Sequence, residues 1–126
     1  MSRYLQGFRY QQIPHSRSRI IACILGAHHI SLEQLPVSTR EALQHSEAEI
    51  RWAARLAFAA GCLIDDFSVA GTQCSFNLRC PASLTPVRID TQKTACETAT
   101  WGQLQKRGLK PPSRQLVEAL FAEITL

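Results

Sequence analysis

The five cysteines are the side chains of this sequence with the greatest chemical reactivity. Cys62, Cys74 and Cys80 lie in a stretch of alternating apolar and polar residues, where a β-hairpin would bring them to one face. Three thiolates and a histidine would suit zinc, but the spacings match no common zinc module, and no local base would activate a cysteine nucleophile. We predict free, buried thiols and no metal site, with zinc ligation as the alternative.

Two other pairs of residues have side chains suited to acid–base or metal chemistry. His28 and His29 are adjacent, and adjacent side chains on a helix point about 100° apart, so the two do not easily ligate one metal. Asp65 and Asp66 are adjacent in a predicted strand and point to opposite faces, so they cannot share one proton-transfer task. Phosphate loops and the common hydrolase motifs are missing from the sequence. We expect no catalytic residue, no cofactor and no small-molecule substrate.

The composition is that of an ordinary globular domain. The chain has 126 residues, of which 45% are hydrophobic and 19% charged. An odd number of cysteines without a CxxC pair favours a reducing compartment. No apolar run reaches the roughly 18 to 20 residues that cross a bilayer, and the first residues lack the apolar stretch of a secretion signal. We therefore expect one cytoplasmic domain with no membrane partner.

The net charge of +4 is unevenly distributed. Residues 1–30 carry four arginines and no acid, whereas residues 31–66 carry six acids against three arginines. Residues 67–126 are basic again, with seven cations against four acids. Basic flanks could track a polyanion, because each cation placed on a phosphate releases condensed counterions. A solubilising surface is the alternative explanation for so small a surplus.

Helical patterns account for most of the chain. Apolar residues at helical spacing predict helices at 16–27, 38–45, 47–60 and 94–107 and from 113 onward, with a short turn at 32–35. The helix at 47–60 has the clearest boundaries, because Ser46 and Glu49 have capping-box spacing and Gly61 suits a left-handed terminus. Cap residues predict where the other helices begin, namely Ser16 or Ser18, Ser38, Thr94 and Ser113.

A β-hairpin is predicted between the central helix and the last two helices. Residues 62–69 and 73–80 form two runs rich in strand-forming residues around Gly71. With opposed residue numbers summing to 142, Ile64 faces Leu78, and the cysteines fall on one face. Asp66 opposite Phe76 is the mismatch in this register. Residues 87–89 predict a short third strand.

The order of these elements indicates an α+β fold. We expect a mainly helical single domain with a small antiparallel β-hairpin or three-stranded sheet. We divide the chain into a basic, aromatic N-terminal arm at 1–14 and one α+β domain at 15–126. The part at 91–126 is helical.

Residues 16–80 resemble a winged-helix domain. The likeness lies in two helical segments, a longer helix and then a hairpin, and it rests on Leu32, Leu35, Ile50, Leu56, Gly61, Leu63 and Ile64. The resemblance implies that the helix at 47–60 enters the major groove and that the hairpin is the wing. It thus implies a small non-enzymatic regulatory protein associated with DNA. The residues implied in DNA contact are Arg51 and Arg55 on the helix, Arg79 near the wing, and Arg3, Arg9, Arg17 and Arg19 toward the N-terminus.

A protein-binding adaptor or inhibitor is the alternative function. The helix at 47–60 is apolar on most sides, and Glu47 and Glu49 at its start would repel phosphate. Aromatic residues dominate the energetics of protein interfaces. The residues expected to contact a protein partner are Trp52, Trp101, Leu116, Leu120 and Phe121.

Overall fold

The computed structural model describes residues 17–122 except 82, 84, 111 and 112, with the side chains of residues 17–20 left out of the description. The predicted N-terminal arm at 1–14 lies outside the described residues. Within them, five helices and a three-stranded antiparallel sheet form a small α+β domain, as predicted. The elements in chain order are α1 (Arg17–Ala27), α2 (Val37–Leu43), α3 (Ala48–Ala59), β1 (Leu63–Ala70), β2 (Gln73–Arg79), β3 (Val87–Gln92), α4 (Cys96–Lys106) and α5 (Arg114–Phe121), with 3-10 turns at Leu32–Gln34 and Lys93–Ala95.

Helix α3 is the most enclosed element of the domain. Seven of its twelve residues are buried, among them Ile50, Leu56 and Phe58. It ends as predicted, because Gly61 takes a φ of 102° and the N–H of Cys62 donates to Ala57 O at 2.9 Å. The helix therefore passes directly into β1.

Three of the predicted helix caps are wrong. Glu47 rather than Ser46 is the N-cap of α3, and its N–H donates to His45 Nδ1 at 3.0 Å. Pro36 rather than Ser38 is the N-cap of α2. Ser38 lies inside the helix, and its hydroxyl accepts a hydrogen bond from Phe67 N in β1. Thr94 lies in a 3-10 turn before α4, so Ala95 takes the cap position. The Ser113 cap of α5 is confirmed by its hydrogen bond from Leu116 N at 3.3 Å.

The predicted hairpin register holds over its first half and shifts by one residue in its second. Ile64 pairs with Leu78, as expected, but Ser68 pairs with Ser75 instead of Cys74. A β-bulge between Asp65 and Ser68 causes the shift. Asp66 in the bulge has a φ of 53° and is exposed, so it no longer opposes the buried Phe76. The bulge thus removes the mismatch that the strict register contained.

Side chains from α2 occupy the outer edge of β1. The Thr39 hydroxyl donates to Ile64 O at 2.6 Å and accepts from Ile64 N at 2.8 Å. The Ser38 hydroxyl accepts from Phe67 N at 3.2 Å. Thr39 is fully buried, so these bonds satisfy strand groups that water does not reach. Helix α2 therefore protects this edge of the sheet.

The core lies on one side of β2 and β3. Their buried residues alternate along the chain with exposed or half-buried polar ones. Helix α3 packs against α4 and α5, while α4 also contacts β3. The buried positions of these two strands are Cys74, Phe76, Leu78, Val87 and Ile89.

Candidate functional site

The structure places two of the predicted DNA-binding arginines at the joint between α2 and α3. Arg51 Nη1 donates to His45 O at 2.8 Å and to Ser46 O at 3.2 Å. Arg55 Nε donates to Leu43 O at 3.1 Å. Carbonyl groups at the end of a helix lack intrahelical partners, and these guanidinium groups supply donors for them. Both side chains thus connect α3 to the end of α2.

Arg55 also belongs to a stack of cationic and aromatic side chains. Its guanidinium lies 4.9 Å from the Phe121 ring centroid and 6.0 Å from that of Trp52. The Arg114 guanidinium lies 4.3 Å from the same Trp52 ring, and Arg114 pairs with Glu97 at 3.1 Å. Burial, and then the nearby charge of Arg51, lower the pKa of Arg55. The stack joins α3, α4 and α5.

The other predicted DNA contacts are divided between the sheet and the N-terminal region. Arg79 pairs with Asp65 at 3.3 Å on the half-exposed face of the hairpin. Arg17 and Arg19 lie in α1, but their side chains are outside the description. Arg3 and Arg9 lie outside the described residues. The DNA contacts of all these arginines stay predictions.

The residues predicted to contact a protein partner differ widely in exposure. Leu120 and Phe121 are buried, so the apolar face of α5 packs on the domain itself. Trp52 is half-buried in the cationic stack, and Leu116 is half-buried against the core. Trp101 is 41% exposed, although it is a large hydrophobic side chain. It is therefore the most accessible of the predicted anchors.

Trp101 lines a groove of about 400 Å³ between α3 and α4. Glu49 and Glu97, in the first turns of the two helices, supply carboxylates to its wall. Glu97 pairs with Arg114, whereas the carboxylate of Glu49 makes no ion pair or hydrogen bond within the described part of the chain. The lining residues, which we call the acidic groove, are Glu49, Leu56, Thr94, Glu97, Thr98 and Trp101.

The acidic groove has the chemistry of a site for a cationic side chain. A carboxylate attracts an ammonium or guanidinium group, and the face of a tryptophan ring attracts the same cation through its quadrupole. Glu97 and Trp101 are one helical turn apart on α4, so they line one face together. Neither Glu49 nor Glu97 is among the partner-binding residues predicted from the sequence. The pairing of α3 with α4, which is not visible in local patterns, brings them together.

The cysteines form two pairs instead of the cluster considered for zinc. Cys62 Sγ and Cys80 Sγ are 3.2 Å apart, and Cys74 Sγ lies 3.9 Å from Cys96 Sγ. The alternative of zinc held by Cys62, Cys74 and Cys80 is therefore wrong. Cys74 lies near the start of β2 and Cys80 just after its end, so the two thiols lie at opposite ends of the strand. No three potential ligands of the histidine, cysteine or acidic types are grouped among the described residues.

Contact within each pair moves the thiol pKa values apart. The thiol of Cys62 donates to Cys80, which lowers the pKa of Cys80 to about 7 and raises that of Cys62. In the second pair, the hydrogen bond to Cys96 lowers the pKa of Cys74, while that of Cys96 is raised. All four thiols are buried.

His28 has a structural contact at the start of the sheet. Its Nε2–H donates to Gly61 O at 2.8 Å, so it joins the end of α1 to the turn after α3. Burial lowers the pKa of His28. His29 is exposed and has a φ of 58°, so the two rings do not form a common site.

Comparison with known proteins gives no match to this chain from any family model, curated protein or solved structure. Among the described residues, no helix is long and apolar enough to cross a membrane. The function must therefore be inferred from the side chains and their geometry.

Proposed function

We propose that this chain is a small regulatory protein that acts by binding another polypeptide, and that its acidic groove holds a basic segment of that partner. The observation that carries the proposal is the position of Trp101, 41% exposed, beside a carboxylate with no described ion pair. Charge complementarity selects arginine or lysine side chains as the occupants. An acidic segment would be repelled by Glu49.

The expected contributions of the two groove residues differ. An exposed carboxylate–cation pair contributes about 0.2 to 1 kcal/mol, whereas truncation of a tryptophan anchor at an interface costs about 2 kcal/mol or more. Trp101→Ala should therefore weaken binding by about 30-fold, and Glu49→Gln by about 2- to 5-fold. Neither residue belongs to the buried core, so both variants should fold.

Fluorescence titration tests the proposal. In a Trp52→Phe background, Trp101 is the remaining tryptophan, and the phenylalanine ring still accepts the Arg114 contact. The probes are a short peptide of alternating arginine and leucine and its glutamate counterpart. We expect the basic peptide to change the Trp101 emission with micromolar affinity and the acidic one to leave it unchanged.

Two controls define the outcome. Glu33→Gln removes an exposed carboxylate from the 3-10 turn far along the chain from the groove residues, and it should leave the affinity unchanged. Equal affinity for both peptides would contradict the proposal. Because Trp101→Ala removes the fluorescent signal, its affinity is measured by calorimetric titration, and an affinity equal to that of the original chain would also contradict the proposal.

A second proposal is association with DNA through a winged-helix-like unit at 16–80. The order of α2, α3 and the β1–β2 hairpin supports it. In that function, Arg51 and Arg55 would have to give up their hydrogen bonds to backbone carbonyl groups in order to contact phosphates. Glu47 and Glu49 would also lie near the duplex and repel its phosphates. These two costs favour the protein-binding proposal.

Titration with a random duplex at two salt concentrations tests the DNA proposal. Counterion release predicts micromolar binding that weakens steeply as salt rises. Arg79→Gln should then reduce the salt dependence by about one released ion. Absence of binding at about 50 mM salt would exclude this function.

A further inference from the structure

The outer edge of β3 is an unpaired strand edge within the described part of the chain. Successive residues of an antiparallel strand direct their N–H and C=O groups to opposite edges. Lys93 N donates to Thr72 O at 2.8 Å, which directs the odd-numbered residues of β3 toward β2. Arg88 and Asp90 therefore direct their backbone groups away from β2. No hydrogen bond among the described residues uses those groups.

The two edges of the sheet differ in whether other side chains bond to their backbone groups. Hydroxyl groups of Ser38 and Thr39 occupy the edge of β1. Beside β3, helix α4 leaves a groove of about 330 Å³ instead. Gly102 lies on its wall, and a Cβ built there would meet no atom within 4 Å. An exposed strand edge of this kind is a template for pairing with another strand.

We propose that β3 pairs antiparallel with β3 of a second copy of this chain, so that the two three-stranded sheets form one continuous sheet. The twofold axis would pass through Ile89. Arg88 would then exchange backbone hydrogen bonds with Asp90 of the partner subunit, and Asp90 with Arg88 of the partner subunit. The outward backbone groups of Arg88 and Asp90 would then be satisfied by one symmetric contact.

Charge complementarity selects the second copy and the register. In this register, each Arg88 side chain faces Asp90 of the partner subunit on the helix-free face of the sheet. A shift in one direction places Arg88 opposite Arg88 of the partner subunit, and a shift in the other places Asp90 opposite Asp90 of the partner subunit. Like charges directly opposite each other are destabilising. The strand is therefore complementary to itself in only one of these three registers.

The contacts that Arg88 makes within its own chain are weak enough for its side chain to pair with Asp90 of the partner subunit instead. Its guanidinium lies 3.4 Å from Asp66 Oδ2 and 3.3 Å from Asn77 Oδ1. The side chains of Arg88 and Asp66 are 47% and 76% exposed, so solvent screens their attraction. Lys106 is exposed and lines the same groove as Arg88 and Asp90.

Charge reversal tests the proposal without altering the core. Arg88→Glu and Asp90→Arg each make both cross-strand pairs repulsive, so each variant should raise the dimer dissociation constant by about tenfold. An equimolar mixture of the two variants makes both pairs attractive again. We expect that mixture to form a heterodimer with the affinity of the original chain, measured by sedimentation equilibrium.

Hydrogen exchange locates the contact. The amides of Arg88 and Asp90 should become protected as the concentration of the original chain rises, while Ile89, already bonded to β2, should not change. A chain that is monomeric at every concentration tested would overturn the proposal. A dimer that neither charge reversal weakens, or whose Arg88 and Asp90 amides exchange freely, would overturn it as well.

Discussion

Arg55 is a charged residue whose side chain makes contacts within the domain. Its guanidinium donates to Leu43 O and lies near the rings of Phe121 and Trp52. The sequence shows an arginine on a polar stripe, and a DNA contact is a reasonable prediction from that alone. The structure gives the same side chain several structural contacts. Trp101 is the opposite case, because its ring is left 41% exposed.

The buried pair of Cys62 and Cys80 leads to a prediction about pH. The hydrogen bond from Cys62 stabilises the thiolate of Cys80, so Cys80 should lose its proton with a pKa of about 7, below the ordinary value of about 8.5. The Cβ chemical shift of Cys80 in the Cys23→Ser variant reports this titration. Cys62→Ala removes the donor and should move the midpoint upward. If the midpoint does not change in Cys62→Ala, the hydrogen bond from Cys62 is not what lowers the pKa of Cys80.

At the scale of elements, local patterns predicted most of the structure. Helical spacing and cap residues located all five described helices, and the alternation at 62–80 located the hairpin. These features depend on neighbours a few residues away. Some errors are local, such as the one-residue shift of the α3 cap and the bulge in β1. Others concern contacts between distant residues, such as the hydrogen bond from Phe67 N to Ser38, which are 29 positions apart. The acidic groove was missed for the same reason, since it depends on α3 lying beside α4.

The edge of β1 provides a test at this scale. Thr39→Val keeps the shape of the side chain but leaves Ile64 N and O buried without partners. Each unsatisfied buried group costs about 1 to 3 kcal/mol, so we expect the free energy of unfolding to fall by about 2 to 4 kcal/mol in urea denaturation.

Thr39→Ser is the matched control, because it retains the hydroxyl and removes a methyl group. It should lose only about 1 kcal/mol. If both variants were equally destabilised, packing of the methyl group rather than the two hydrogen bonds would account for the role of Thr39.

At the scale of the whole molecule, the two proposed contacts use separate surfaces of the described part of the chain. The acidic groove lies between α3 and α4, and the free edge of β3 lies beside the other flank of α4. The groove is locally acidic although the chain carries a net charge of +4. Long-range attraction would therefore draw acidic partners to the chain in general, whereas the groove itself selects a basic segment. Low salt should favour the first effect, so affinity for the groove is best measured near physiological ionic strength.

Mapping of backbone amide and indole chemical shifts during titration with the basic peptide tests the central claim most directly. We predict saturable shifts at Glu49, Thr94 and Thr98 and at the indole N–H of Trp101, with the Trp52 indole and the outer edge of β3 unaffected. Absence of saturable shifts in the acidic groove, or shifts concentrated at another surface, would contradict the proposal that this groove binds a polypeptide.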